Sequence, residues 1–268
     1  MHTWSEARTK YISKGVLQLA IVGKEAISAL RGATQEGAGS SERSTFTSLK
    51  SGSTFLVKAL PLENIAAYDS YGIFKKVNSF EAEKPSIKNA RGYATDELTP
   101  WDLASKYYQD KANELVEAGK SKEDAEVNPL RTKASEYRSK RKYIVPFIDL
   151  ESGEVIYIDF TKNQAEAVIS VIEKYEEKGR LETTPLELSK TGQKTDTKVS
   201  LTATFEEDLS ETAAKNFKEL TAENVTVNFE GLTFIADEKA QIESLLASGF
   251  DVSLIDLEAP EIDPTEAF

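Results

Sequence analysis

Short apolar runs bounded by proline, glycine or acidic turns fill the middle of this chain, and helix-spaced apolar positions flank and interrupt them. Ser53–Leu60 (STFLVKAL) stops at Pro61, and Ala67–Val77 (AYDSYGIFKKV) resumes after Pro61-Leu62-Glu63-Asn64, which predicts two strands around a break. Tyr143–Leu150 (YIVPFIDL) and Glu154–Phe160 (EVIYIDF) flank Glu151-Ser152-Gly153, the composition of a tight hairpin. Pro185–Lys190 and Lys198–Phe205, on either side of Thr191-Gly192, predict a further β pair.

Helical periodicity appears in three places around these strands. Trp4, Ala7, Tyr11, Val16, Ala20, Ile27 and Leu30 fall near helical spacing, so residues 1–31 read as an amphipathic, basic arm. Pro100–Tyr108, Lys111–Gly119 and Lys122–Tyr137 read as helical, making 101–137 a helical insertion inside a β pattern. Thr161 and Gln164 form a capping-box pattern, Ala165, Val168, Ile169, Ile172 and Tyr175 share one face, and Gly179 stops the helix. The order is β, β, helical insertion, β-hairpin, α, β, β. It predicts a mainly β (α+β) protein whose core, residues 49–205, is an OB-fold-like Greek-key barrel.

The flanks are expected to be simpler. Residues 32–48 (GATQEGAGSSERSTFTS) have the composition of a flexible linker, and no Walker lysine follows to make a phosphate loop of them. Residues 206–250 read as an acidic subdomain with helices over Glu211–Leu220 and Lys239–Leu246 and a hairpin in Val225–Ile235. Residues 251–268, with Pro260 and Pro264, read as a disordered acidic tail.

Composition leaves this outline intact and removes several function classes. Among 268 residues, 40% are hydrophobic and 29% charged, enough for a real core. There is no cysteine, hence no disulfide, thiolate metal site or cysteine nucleophile. The longest apolar stretch, Gly15–Leu30, is broken by Gly23-Lys24-Glu25 and lacks a cleavage pattern, so a soluble, cytoplasmic protein with no membrane partner is expected.

Charge changes the picture more. The net charge is −12, yet residues 1–205 hold 30 Lys/Arg against 29 Asp/Glu, while residues 206–268 hold 3 against 16. Screening confines the influence of the acidic end to about 10 Å at moderate salt, so the body's own bases decide what it attracts. The densest basic run, Arg131 to Lys142 (RTKASEYRSKRK), leads straight into an aromatic strand. An acidic end with apolar interruptions is suited to occupying a basic groove until polyanion displaces it, and then to docking on partner proteins.

The candidate chemistry is therefore stacking plus phosphate contact. Tyr68, Tyr71, Phe74, Lys75 and Lys76 share one segment; Tyr137, Arg138, Lys140, Arg141, Lys142, Tyr143 and Phe147 share the next. Tyr157 alternates with Ile156, Ile158 and Phe160, so it is expected to face away from that apolar row. Bases stacking on exposed rings gain ~1–3 kcal/mol each while Lys and Arg track phosphates, which is how single strands are bound. Taken singly, Phe74 or Phe147 fits a core position and the basic run a solvated helix end; joint placement beside an acidic tail favours binding. In the tail, Asp256, Glu258, Glu261, Asp263, Glu266 and Phe268 are the candidate partner contacts.

Enzymatic readings are weak. The single histidine is His2, which excludes histidine triads and zinc sites built on the core. Asp149, Glu151, Glu154 and Asp159 flank the hairpin in the manner of a Mg²⁺ set, but carboxylates at hairpin ends are ordinarily solvated. No catalytic, cofactor or metal site is expected.

The sequence FLVKALP, the aromatic-basic strand, the insertion, RKYIVPFIDLESGEVIYIDF, the helix, PLELSKTG and KVSLTAT resemble the replication single-stranded DNA-binding proteins of large tailed phages over residues 50–205. The resemblance implies an OB fold that coats single strands with little sequence preference in replication, recombination and repair. It also implies cooperative self-association through the basic arm, recruitment of replication and recombination proteins through the tail, and residence in a bacterial host's cytoplasm. The best-known members carry a Cys/His zinc module in the insertion; this chain has no cysteine, so the metal does not carry over. Phe268 resembles the tip of bacterial single-strand binders. The alternative is a protein-interaction or virion-assembly factor with no nucleic-acid role, which the overall acidity favours.

Overall fold

The computed structural model of the chain describes residues 21–22, 45–193 and 196–259, and for Ile21 and Val22 the backbone alone. The rest of the basic arm, residues 32–44 of the linker, and tail residues Glu261, Asp263, Glu266 and Phe268 lie outside the described residues. In chain order the elements are β1 (Ile21–Val22), β2 (Thr54–Ala59), β3 (Ala66–Ile73), β4 (Val77–Ala82), β5 (Ile87–Lys88), β6 (Ala94–Asp96), α1 (Pro100–Glu117) and α2 (Asn128–Tyr137). They continue as β7 (Lys140–Asp149), β8 (Val155–Thr161), α3 (Lys162–Glu177), β9 (Leu186–Thr191), β10 (Lys198–Ala203), α4 (Glu211–Glu219), β11 (Ile235–Ala236) and α5 (Glu238–Ser248). The chain is mixed α/β with a mostly antiparallel multistranded sheet, and it forms two compact units: residues 1–68 with 141–232, and residues 69–140 with 233–268.

In the first unit the antiparallel order is β10-β9-β2-β7-β8. Thr161 and Gln164 cap α3 reciprocally, the Thr161 N–H donating to Gln164 Oε1 at 3.1 Å. Val168, Ile169 and Ile172 of α3 are buried with Val57, Phe147, Ile158 and Leu186 of the strands, each such side chain contributing roughly 1.5–3 kcal/mol. The expected closed barrel is not formed: β8 and β10 do not pair. The free edge of β8 is taken instead by Phe46, which bridges to Tyr157, and by Thr47, whose N–H donates to the Tyr157 carbonyl at 2.8 Å. Phe46 and Thr47 are thus bound to the sheet, which corrects the linker expectation there, and Leu49 joins the core.

Three further expectations are corrected. Ile21–Val22, inside the arm read as helical, pair as a strand with Ala66–Ala67, as two β-branched residues prefer. The segment 206–250 is divided between the two units rather than forming one subdomain. Val225–Ile235 makes no hairpin; only Ile235–Ala236 is extended, pairing parallel to β4.

α4 is fastened to the first unit by Ala213 and Phe217, which bury against Leu150, and by Lys58. Lys58, 3% exposed, donates from Nζ to the carbonyls of Phe217 at 3.1 Å and Leu220 at 2.8 Å, pairs with Glu182 at 2.8 Å, and lies over the Phe217 ring. A cation at the carbonyl end of a helix complements the dipole and the unpaired carbonyls there.

The second unit is built around Trp101, fully buried among Tyr71, Phe80 and Tyr137, its indole N–H donating to Ser244 Oγ at 2.8 Å. Thr99 caps α1 by accepting from the Asp102 N–H, and Pro100 occupies the first turn, where no N–H is needed. Asp102 is itself buried, and its Oδ2 accepts from Tyr71 Oη at 2.6 Å and Ser86 Oγ at 2.7 Å, with Thr99 Oγ1 at 3.1 Å. The insertion is therefore a unit of its own, larger than the expected 101–137. The expected disorder of 251–268 fails over 251–259: Val252–Ile255 form a helical turn, and Val252, Ile255 and Leu257 pack with Phe250 in this core.

Candidate nucleic-acid interface

Most of the aromatics expected to stack on bases are buried. In the first unit Tyr68, Tyr143, Phe147 and Tyr157 are core residues. Tyr157 was expected to face solvent; its outer face is covered by Phe229, and its hydroxyl accepts from the Asn228 N–H at 2.7 Å. In the second unit Tyr71 and Tyr137 are buried, Tyr137 Oη lying 3.1 Å from Ser248 Oγ. Burial pushes the Tyr71, Tyr137 and Tyr157 phenols up, with the Asp102 carboxylate adding to the effect at Tyr71. Rings held this way give no stacking surface.

The bases divide between the units. Lys142 is committed to Asp159 and lies 5.9 Å from the Tyr68 ring centroid; Arg141 is half-buried. Lys140 and Arg138 belong to the second unit, as do Phe74, Lys75 and Lys76. These last three form the tip of the β3–β4 hairpin, where Phe74 is 88% exposed and Lys75 takes the left-handed backbone conformation, φ 66°. Of the predicted aromatics, Phe74 alone presents its ring to solvent.

A groove of about 580 Å³ in the second unit brings bases and an exposed ring together. Lys106 from α1, Arg131 from α2, and Arg138 and Lys140 beyond it line it, with Tyr93 at its edge. Arg131, Arg138 and Lys140 make no ion pair among the described residues, whereas Lys106 pairs with Asp110. Asp102 and Glu136 also line it, but the Asp102 carboxylate is taken up by hydroxyls. The surplus is cationic.

Tyr93 was absent from the sequence-based candidates. Its signal is the local composition, Lys88-Asn89-Ala90-Arg91-Gly92-Tyr93: an aromatic among turn and basic residues with no apolar partner beside it. Lys106 was missed, and Arg131 was placed in the basic run but not among the site residues, because helical spacing alone does not show which turn of α1 faces which turn of α2.

Three of the four hairpin carboxylates have local partners: Asp149 accepts from Ser152 Oγ at 2.9 Å, Glu151 from Ser210 Oγ at 3.2 Å, and Asp159 pairs with Lys142. No cluster of three His, Asp or Glu among the described residues is arranged to hold a metal ion. No helix among them is long and apolar enough to cross a membrane. No family model, no curated protein and no solved structure matches this chain.

Proposed function

We propose that the protein binds single-stranded DNA with little sequence preference, coating strands exposed in replication, recombination and repair, and that it performs no catalysis. The observation that carries this reading is the second unit's groove, where four cations converge beside a half-exposed tyrosine. Cations track phosphates and exposed rings stack bases whatever the sequence. The hairpin tip Phe74-Lys75-Lys76 offers the same pairing of ring and charge.

The first unit supports the reading through topology. The order β8-β7-β2-β9-β10, with α3 between β8 and β9 in the chain, is compatible with a five-stranded OB-type sheet left open between β8 and β10. In this proposal it is an open OB scaffold, and the aromatic residues assigned from the sequence hold it together instead of meeting DNA. Recruitment of replication partners falls to the acidic terminus, where Asp256 and Glu258 are exposed.

The test is a fluorescence-anisotropy titration of labelled oligo-dT, single-stranded and duplex, at two salt concentrations, with the full chain and a chain ending at Ala259. Salt-sensitive binding to the single strand, kept or strengthened without residues 260–268, is the expected result. Absence of binding by both chains would leave a protein-interaction role.

A further inference from the structure

We infer that Tyr93 is a preformed nucleobase platform, clamped by Arg138, and that one nucleotide of a bound strand stacks there while Arg131 and Lys140 take the adjoining phosphates. The inference rests on the proposed single-strand reading and adds the residue, its geometry and the location of the contact, outside the OB-like unit.

Three features of the second unit build this platform. Tyr93 ends the loop joining β5 to β6. The Asn89 side chain accepts from the N–H groups of Arg91 at 2.9 Å and Tyr93 at 3.2 Å, and the Asn89 N–H donates to the Tyr93 carbonyl at 2.9 Å. Gly92 adopts φ +77°, a conformation other residues rarely take, to complete that turn. The backbone under the ring is therefore fixed by hydrogen bonds even though the ring itself is 50% exposed.

The Arg138 guanidinium carbon lies 4.7 Å from the Tyr93 ring centroid, so the ring is already oriented on one side by a planar cation. Arg138 is held in turn. It follows α2 directly, and its neighbour Ser139 accepts from Lys88 Nζ at 2.6 Å, while Lys88 pairs with Asp69 at 2.8 Å. Lys88 and Asp69 are only 10% and 11% exposed, and this partly buried tie joins the strand carrying the loop to the end of α2.

A half-exposed ring pinned in this way loses little freedom when a base arrives, so more of the stacking energy appears as affinity. With Arg138 over one side of the ring, a base can stack on this Arg–Tyr pair whatever its identity, which fits sequence-tolerant binding. A ring serving the fold would be covered, as Tyr71 and Tyr137 of the same unit are.

The experiment compares wild type, Tyr93→Ala, Tyr93→Phe and Arg138→Lys as full chains. Binding to fluorescent oligo-dT is measured across a salt series, with photo-crosslinking to a 5-iodouracil-substituted strand followed by peptide mapping. Because Tyr93 is on a surface loop, its variants should melt as wild type does. Tyr93→Ala should bind about five- to hundredfold more weakly at every salt concentration with the salt slope unchanged, since stacking releases no counterions. Tyr93→Phe should restore binding to within about twofold, because the ring face remains, and the crosslink should map to the peptide containing residue 93. Wild-type binding with Tyr93→Ala equal to wild type would overturn the platform and leave the single-strand reading standing. Failure of wild type to bind at low salt would overturn both.

Discussion

Replacing Arg131 and Lys140 together by alanine tests where the polyanion lies. Both side chains are exposed on the groove and make no ion pair among the described residues, so their removal should leave folding within about 0.5 kcal/mol of wild type. Each phosphate neutralised on a single strand contributes about −0.7 to the slope of log K against log salt. Lys106 is already paired with Asp110, so the three remaining groove cations, each meeting one phosphate, give a slope near −2.1, and losing two reduces its magnitude by about 1.4. Since the counterion contribution vanishes near 1 M salt, the lines for wild type and variant should converge there and separate by about 25-fold at 0.1 M. Anisotropy titrations of oligo-dT across that salt range measure both quantities. Lys142→Ala serves as the comparison, because its ammonium is already neutralised by Asp159 and should contribute much less to the slope. An unchanged slope in the groove variant, with a reduced slope in Lys142→Ala, would refute the assignment and move the strand to the first unit.

Other outcomes follow from the same geometry. Lys58→Met leaves the Phe217 and Leu220 carbonyls without their donor; relief from burying an ammonium offsets part of this, so denaturant midpoints should report a loss of ~2–4 kcal/mol. DNA affinity of the folded variant should be unchanged, and stability within about 0.5 kcal/mol of wild type would show that α4 is not fastened there. Phe74→Ala, at an 88% exposed position, should leave the melting temperature unaltered and weaken single-strand binding by ~1–3 kcal/mol; unaltered affinity removes the hairpin tip from the interface. Lys88→Met should weaken binding in wild type but add little in the Tyr93→Ala background; additive effects in this double-mutant cycle would separate the tie from the ring. Burial raises the Tyr71, Tyr137 and Tyr157 phenols above the ordinary value of 10.0, so the folded chain retains protons that the unfolded chain releases. Their contribution is fully present below that pH and lost as pH rises toward the folded values, which denaturation midpoints at increasing pH should show.

The sequence made some features plain because their determinants are local. The capping pair Thr161 and Gln164, the turn Glu151-Ser152-Gly153 and the apolar face of α3 each lie within a few residues, and the structure contains all three. Tyr157 was misjudged because a period of two assigns one face to the core and the other to water. Here both faces of β8 are covered, the outer one by Phe46, Phe229 and Val227 from distant parts of the chain. The strand β4 was missed because Phe74-Lys75-Lys76 reads as a continuation of β3. Its reversal depends on Lys75 taking the left-handed conformation, which the residue type at that position does not announce. Tyr93 lay in plain view but lacked the neighbouring aromatics that drew attention elsewhere, and only folding brings Arg138 to its ring.

The acidic end shows how far charge order along a chain can differ from charge order in space. Of the 16 acids after residue 205, 13 precede residue 260, in a stretch that folds into both units and contributes α4, α5 and β11. Leu257 is the last residue with a described packing contact, and the segment after it carries four acids, Glu258, Glu261, Asp263 and Glu266. Competition with DNA phosphates by such a segment is worth at most a few charge contacts, each screened within about 10 Å. The carboxylates before Leu257 instead set a fixed background field on both units. That field disfavours polyanion everywhere except where bases outnumber acids locally, as they do around Arg131, Arg138 and Lys140.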